Sequence, residues 1–250
     1  MTKFFRFSIA HINIEVMCHE RTVFNECKDY LNSFAVPDMT VSASMAEMEA
    51  EAQLLPPITE SYEGVATTRF YGNIESKIIQ QKIADNLPLF DSMVMHGSVI
   101  ALNNQGHMFT APSGVGKTTR TRIWLDMYPS SLVVNGDKPI IKITETQAIA
   151  CGTPWCGKEG WNTNIMVPLK TIFLLERANE EEESSVEEVS ISKAFPILLQ
   201  QTHLPKDLDL MKKTLYLLKS LEGKVKIYKF RSSPTKESVK LAFETAKRDD

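Results

Sequence analysis

Phosphate-binding chemistry is indicated by the stretch APSGVGKT at residues 111–118. It fits the phosphate-loop pattern G-x-x-x-x-G-K-[ST], except that alanine replaces the first glycine. Gly114 and Gly116 allow the backbone to turn tightly and to present a row of N–H groups to phosphate oxygens. In this pattern the lysine, here Lys117, reaches the β- and γ-phosphates, and the following hydroxyl, here Thr118, ligates Mg²⁺.

The loop predicts a nucleotide site that opens a helix, because a helix N-terminus favours an anion. The residues predicted to bind the nucleotide are Ser113, Gly114, Val115, Gly116, Lys117, Thr118 and Thr119. We expect Lys117 to lie on a solvent-facing loop. Arg120 and Arg122 in the following helix either reach a phosphate or an anionic acceptor, or are ordinary surface residues. The alternative interpretation of the stretch is a glycine-rich surface turn before an ordinary helix.

A carboxylate suited to the same site is Asp137, in the stretch SLVVNGDKP. Mg²⁺ bound to phosphates is normally completed by a carboxylate at the end of a neighbouring strand. Asp137 follows an apolar strand, one helix and one strand after the loop, which returns the chain to the same edge of the sheet. Thr118 and Asp137 are therefore the predicted metal ligands. The alternative is a β-turn with an exposed aspartate.

Two further features border the predicted site. His96 stands immediately before an apolar strand, where it either borders the cleft or is a structural histidine. The loop at 151–164, CGTPWCGKEGWNTN, contains the tryptophans Trp155 and Trp161. Long structured loops of this kind often close over ligands. Each tryptophan either covers a ligand or pins the loop to the core.

The flanking segments predict the elements that a phosphate loop requires. SVIAL at 98–102 is short, apolar and β-prone, NNQG at 103–106 predicts a turn, and HMFTA leads back as a strand into the loop. After Thr118, good helix formers continue until Pro129.

The rest of the chain predicts an α/β protein with a mixed sheet. Residues 3–17 alternate as half-buried strands do, and we interpret 1–72 as a β-rich N-terminal portion. The P-loop nucleotide-binding domain is predicted at 73–250, beginning with a helix at 73–86. Downstream we predict strands at 131–135, 170–177 and 224–230, a hairpin at 138–152, and helices at 192–201, 207–221 and 235–247.

Composition narrows the class of protein. The net charge of −3 does not indicate the positively charged surface that binds nucleic acids, so we expect no nucleic-acid partner. The four cysteines form no C-x-x-C pair, which favours reduced thiols in a cytoplasm. No apolar run reaches the length that spans a bilayer and no signal peptide is recognisable, so we expect a cytoplasmic protein without a membrane partner. The acidic stretch at 179–188 predicts a solvated loop.

Four blocks in order resemble the bacterial HPr-kinase-related proteins of the phosphoenolpyruvate-carboxykinase-type P-loop fold. They are MHGSVIAL, FTAPSGVGKTTRTRIW, VNGDKPIIKI and CGTPWCGKEGWNTN, the last followed by VPLKTIFLLER. The resemblance covers about 73–177 strongly and the rest weakly. It implies a kinase that uses ATP and Mg²⁺ and transfers phosphate to a serine-like hydroxyl.

The resemblance also implies roles for individual residues. His96 matches a histidine that precedes the strand leading to the loop in HPr kinases. Their paired aspartates correspond to Gly136 and Asp137, so only the second acid is present. The predicted catalytic residues are His96, Lys117 and Asp137, and either His96 or Asp137 is the general base.

The predicted function is in-line transfer of the terminal phosphoryl group of ATP to a hydroxyl of a peptide, a protein or a small molecule. Two alternatives stay open at this point, namely a non-catalytic or regulatory nucleotide-binding module and a carboxykinase-like enzyme. The sequence identifies no particular acceptor, and it leaves open a homo-oligomer.

Overall fold

A computed structural model of the chain describes residues 3–55, 65–178 and 183–248. The chain divides into two compact units, Met1–Asn86 and Leu87–Asp250. The predicted domain boundary between residues 72 and 73 falls inside a helix that belongs to the first unit. No helix in the described ranges is long and apolar enough to cross a membrane.

The first unit contains a three-stranded sheet and three helices. They are β1 (Lys3–Ile9), β2 (Ile12–Cys18), α1 (Arg21–Cys27), β3 (Met39–Ser42), α2 (Met45–Gln53) and α3 (Val65–Asn86). Strand β2 pairs antiparallel with β1 and parallel with β3. The alternation of apolar residues buries Phe7, Ile14 and Val16 completely. The strands predicted within residues 3–17 are confirmed.

Helix α3 carries the apolar spacing that predicted a helix at 73–86. The isoleucines at its buried face are Ile74, Ile78, Ile79 and Ile83. The helix packs against α1 and α2. Its buried Glu75 accepts hydrogen bonds from the backbone N–H groups of His19 and Glu20, at 2.6 and 2.8 Å. A side chain of α3 thereby satisfies donors that the start of α1 would leave unpaired.

The second unit contains a nine-stranded mixed sheet, which confirms the predicted α/β class. Its strands are β4 (Ser92–Val94), β5 (Ser98–Leu102), β6 (Gln105–Thr110), β7 (Leu132–Asn135), β8 (Ile140–Ile143), β9 (Ala148–Cys151), β10 (Met166–Arg177), β11 (Ser185–Glu188) and β12 (Lys226–Ser232). The order along the sheet is β4-β8-β9-β10-β6-β5-β7, and β12 pairs with both β10 and β11. Strand β10 pairs antiparallel with β9 over its first residues and parallel with β6 and β12 further on.

Helices cover this sheet through two separate apolar clusters. The helices are α4 (Lys117–Met127), α5 (Ile191–Gln200), α6 (Leu208–Lys219) and α7 (Lys236–Arg248). Residues of α5 and α6 share one cluster with Ile172 and Leu174 of β10. Residues of α4 and α7 share the other cluster with Phe173 and Leu175. Because successive side chains of a strand point to opposite faces, β10 contributes to both layers.

The principal strands and helices of this unit lie where the sequence predicted them, with ends displaced by a few residues. One interpretation requires correction. The stretch 179–188 was predicted as a solvated loop, but its last four residues form β11, which pairs antiparallel with β12. Residues 179–182 lie outside the described part of the chain. Glu187 and Glu188 are exposed, so the charge pattern indicated the solvation of the segment but not its backbone pairing.

The core of the second unit contains a histidine that carries no hydrogen bond from its ring. His107 of β6 is fully buried, and neither ring nitrogen has a partner within the described residues. The ring stacks against Trp124 of α4, with centroids 6.3 Å apart. Burial lowers the pKa of His107 from 6.5 to about 4, because the charged form would lose its hydration.

We therefore expect the free energy of unfolding to fall by about 3 kcal/mol as the pH is lowered from 6.5 to about 4 because of His107. Between these values the unfolded chain binds a proton that the folded chain does not bind, so acid favours unfolding. Urea unfolding of wild type and of His107→Leu across this pH range measures the contribution. The curve of the variant should be flatter by this amount, and parallel curves would contradict the expectation.

Candidate functional site

Three predicted site segments meet at one edge of the sheet because of strand direction. Strand β5 pairs antiparallel with both β6 and β7, with Ser98 opposite Phe109 and Val99 opposite Asn135. The start of β5 therefore lies beside the ends of β6 and β7. His96 precedes β5, the phosphate loop follows β6, and Asp137 follows β7, so the topology brings these segments together.

The backbone of the phosphate loop has the conformation that its glycines predict. Gly114 and Gly116 adopt φ values of 85° and 102°, in the left-handed region that favours glycine. Ser113 and Gly114 are exposed, whereas Val115 packs against the cluster beneath α4. The loop ends at α4, which begins at Lys117. The exposed part of the loop thus leads directly into a helix N-terminus.

Lys117 differs from the expectation of a solvent-facing side chain. Only 8% of the residue is exposed. Its Nζ donates hydrogen bonds to the carbonyl oxygens of Ala111 and Pro112, at 2.8 and 3.2 Å. The ammonium folds back beneath the loop because these carbonyls offer acceptors at short range. An ammonium has three N–H donors, so the third remains available for a phosphate oxygen when a nucleotide binds.

The hydroxyl groups beside Lys117 are more accessible. Thr118 is half-buried and Thr119 is exposed. The Thr118 side chain has no hydrogen-bond partner among the described residues, so its hydroxyl is not committed to another contact.

Asp137 is positioned by a buried asparagine that the sequence analysis missed. The Oδ1 atom of Asn135 accepts hydrogen bonds from the backbone N–H groups of Asp137 and Lys138, at 2.9 and 2.7 Å. Its amide nitrogen donates to the carbonyl oxygens of Thr153 and Trp155 and to the Thr153 hydroxyl. An asparagine two residues before the aspartate was the available signal, because asparagine side chains bond the backbone two residues on.

His96 lies between Asp137 and a glutamine that the sequence also did not indicate. The Nε2 atom of His96 is 3.4 Å from Oδ1 of Asp137, and both side chains are about one-third exposed. The Nδ1 atom is 2.9 Å from Oε1 of the buried Gln201. Because an amide oxygen only accepts, Nδ1 donates this bond. The backbone N–H of His96 also donates to the Gln201 carbonyl, at 2.7 Å.

The charges of the site influence one another. The nearby side chain of His96 holds the pKa of Asp137 below its ordinary value, and burial acts in the opposite direction. Burial lowers the pKa of Lys117, and the carboxylate of Asp137 acts in the opposite direction. Asp137 is therefore ionised at neutral pH and is a stronger candidate for a cation ligand than for a proton acceptor.

The loop at 151–164 packs against the strand end that carries Asp137. The Gly136 N–H donates to the carbonyl oxygen of Trp161, at 2.9 Å. A Cβ atom at Gly136 would lie 3.2 Å from the carbonyl oxygen of Cys156 and 3.3 Å from Cβ of Trp161. A second acid at this position would therefore require the loop to move. The loop therefore packs closely against the backbone at Gly136.

The two tryptophans of this loop have different environments. Trp155 is 7% exposed, which fits the prediction that a tryptophan pins the loop to the core. Trp161 is half-buried, and the guanidinium carbon of Arg122 lies 5.7 Å from its ring centroid. This distance permits a cation–π contact between α4 and the loop.

Arg120 does not extend into solvent. The residue is fully buried, and its guanidinium bonds to backbone and hydroxyl oxygens beneath the loop. Arg122, two residues further along α4, is exposed. The interpretation of Arg120 as an ordinary surface residue is therefore wrong. Its guanidinium is buried because it bonds to Val115 of the loop and to Ser232, which is far along the chain.

The donors at this edge suit Mg²⁺ in the way that the ion binds nucleotides. The described residues contain no group of three or more His, Cys, Asp or Glu side chains that could hold a metal ion by itself. Mg²⁺ commonly uses one or two carboxylates together with substrate phosphates. The ionised carboxylate of Asp137 and the uncommitted hydroxyl of Thr118 fit that donor set.

Comparisons with known proteins find similarity among solved structures. No protein-family model matches the chain. No curated protein matches it significantly. Among solved structures, the HPr(Ser) kinase/phosphatase from Coxiella burnetii aligns with 49% of this chain and 87% of its own, at 14% sequence identity and a TM-score of 0.29. Since this similarity is low, functional inference rests on the site itself.

Proposed function

We propose that this chain is an ATP-dependent kinase that transfers the terminal phosphoryl group to a hydroxyl of a peptide, a protein or a small molecule. One observation carries the proposal. The phosphate loop with Lys117 lies at the same sheet edge as the His96–Asp137 pair, whose nitrogen and oxygen atoms are 3.4 Å apart. Phosphoryl transfer requires a group that binds the phosphates of the donor and a group that orients the acceptor hydroxyl. An anion-binding loop and a polar pair beside it provide these two groups.

The loop and Lys117 bind the phosphates in this mechanism. Backbone N–H groups of residues 113–116 donate to phosphate oxygens, and the ammonium of Lys117 neutralises charge that develops on the transferred group. The left-handed φ of Gly114 and Gly116 supports this role, because such turns direct successive N–H groups to one side. Thr118 and Asp137 would hold Mg²⁺, which supplies further charge neutralisation when it is bound.

His96 and Asp137 act on the acceptor. The hydroxyl oxygen forms a bond to the γ-phosphorus, the bond from that phosphorus to the β,γ-bridging oxygen breaks, and ADP leaves. The hydroxyl proton passes to a base at the site. Because Nδ1 donates to Gln201, the neutral ring of His96 keeps Nε2 unprotonated, so Nε2 accepts this proton and the nearby carboxylate of Asp137 stabilises the resulting imidazolium.

Incubation with γ-labelled ATP, Mg²⁺ and a panel of hydroxyl-bearing acceptors tests the proposal. Label on an acceptor, identified by mass spectrometry, supports a kinase. Reaction only with a keto acid would instead indicate a carboxykinase-like enzyme. Absence of transfer to every acceptor, together with tight ATP binding, would contradict the kinase.

A non-catalytic nucleotide-binding module is the second candidate, and Gly136 favours it. The paired acids of the resembled kinases are reduced here to Asp137, and the loop at 151–164 occupies the space that a second acid would need. Such a module would bind ATP through the phosphate loop without consuming it. Measurement of ADP release over hours at saturating ATP separates the two functions.

The His96→Gln variant should lower kcat by about 10²-fold or more while the Kd for ATP stays within about twofold. Glutamine still orients a hydroxyl but does not take its proton. Steady-state kinetics and equilibrium ATP binding measure the two quantities. The exposed His11 offers a matched control, and His11→Asn should retain wild-type kinetics because asparagine tolerates its left-handed backbone. A wild-type kcat in His96→Gln would show that His96 has a structural role and does not take the proton.

We also propose a cytoplasmic location. The four cysteines all lie in the described residues and form no disulfide, and Cys18, Cys27 and Cys151 are buried. Free thiols are typical of reducing compartments. Fractionation of the source cells, with detection of the native chain by an antibody, tests this location.

A further inference from the structure

We propose that Arg120 is a positioning residue for the phosphate loop, which turns the Val115–Gly116 peptide toward the bound phosphate and places a buried positive charge beneath it. This inference rests on the proposed function, since it assumes that the loop binds phosphate.

The contacts of Arg120 join the loop to the end of a distant strand. Its Nη1 atom donates to the carbonyl oxygen of Val115, at 3.0 Å. Its Nη2 atom donates to the carbonyl oxygen and to the hydroxyl of Ser232, at 2.5 and 2.9 Å. Ser232 is the last residue of β12 and is fully buried. The guanidinium therefore holds the loop at a fixed distance from the end of β12.

The bond to Val115 also sets the direction of a phosphate donor. In a trans peptide the carbonyl and the N–H group point in opposite directions. Because the Val115 carbonyl points inward to Arg120, the N–H of Gly116 points to the opposite side of that peptide, where the exposed part of the loop lies. Gly116 is required at this contact, since a Cβ atom there would lie 2.8 Å from Nη1 of Arg120.

The charge of Arg120 has no opposite charge to balance it nearby. Its partners are neutral oxygens, and no carboxylate in the described ranges forms an ion pair with it. The Nε atom is buried and has no hydrogen-bond partner among the same residues. A buried cation without a counter-ion is costly, and an anion bound on the loop above it would recover part of that cost. The arrangement thus favours a ligand with several negative charges, such as a polyphosphate.

Binding of inorganic pyrophosphate to the full chain, measured by calorimetry, tests the inference without requiring any acceptor. The variants are Arg120→Met, which removes the charge and the bonds, and Arg120→Lys, which keeps the charge but lacks the fork that reaches both Val115 and Ser232. We expect affinity to fall about tenfold or more in Arg120→Met and to be only partly restored in Arg120→Lys. Arg231→Met removes a neighbouring exposed arginine and should bind as wild type does.

A spectroscopic measurement separates positioning from a general loss of structure. In wild type the Gly116 amide resonance should move on addition of pyrophosphate, and in folded Arg120→Lys this movement should be reduced by half or more. Equal affinity and equal Gly116 shifts in Arg120→Lys and wild type would overturn the inference, even if Arg120→Met fails to fold. Absence of pyrophosphate binding in wild type would overturn the phosphate loop itself and the proposed function with it.

Discussion

Lys117→Met is expected to lower the rate of phosphoryl transfer by about 10³-fold. The ammonium is the charged group of the phosphate loop, and methionine fills a similar volume without charge. Initial rates at saturating ATP, with an acceptor identified from the panel, measure the loss. Equal rates in the variant and wild type would rule out the proposed phosphate-binding role.

The burial of Lys117 determines how this experiment is controlled. Its ammonium bonds to the carbonyl oxygens of Ala111 and Pro112, so the substitution removes two hydrogen bonds from the loop. Pro112 is exposed, so water can replace the bond at that residue. Thermal unfolding of the variant must therefore be compared with wild type. Lys240→Met, at an exposed site on α7, provides a lysine control that should leave the rate unchanged.

Asp137→Asn is expected to reduce kcat by about 10²–10⁴-fold and to raise the Mg²⁺ concentration needed for half-maximal rate. Asparagine has nearly the same shape but carries no charge. The hydrogen bonds that the backbone N–H groups of residues 137 and 138 donate to Asn135 remain. Rates measured over a range of Mg²⁺ concentrations at constant free ATP test both effects. Asp126→Asn, at an exposed position on α4, is the matched control. If kcat and Mg²⁺ dependence are unchanged in Asp137→Asn, the residue is a turn aspartate.

Local sequence was sufficient to predict the backbone turns of the loop at 111–118, because these turns depend on glycines close together in the chain. The glycines determine the backbone turns, and the lengths of one helix and one strand determine where Asp137 returns to the sheet edge. The proximity of His96 to Asp137, which the sequence left open, follows from the antiparallel placement of β5 between β6 and β7. Their chemical roles stay predictions.

Contacts between distant segments were not predictable in the same way. The burial of Arg120 depends on Ser232, at the end of a strand far along the chain. The bond from His96 to Gln201 depends on the segment that follows α5. Nothing near Arg120 or His96 in the sequence identifies either partner, since each becomes a neighbour only when the strands assemble. The strand at 185–188 was missed because acidic side chains indicate that a segment faces solvent. They do not exclude hydrogen bonding of its backbone to a neighbouring strand.

Strand β10 connects the two halves of the large sheet, and we expect this connection to couple their opening. Its first residues hold β9, and through β9 the loop at 151–164, while its later residues hold β6, which leads into the phosphate loop. A fluctuation that detaches either neighbour exposes unpaired backbone on the same strand. The strands that lead into the two loops therefore depend on one shared strand, and we expect these strands to belong to one cooperative unit.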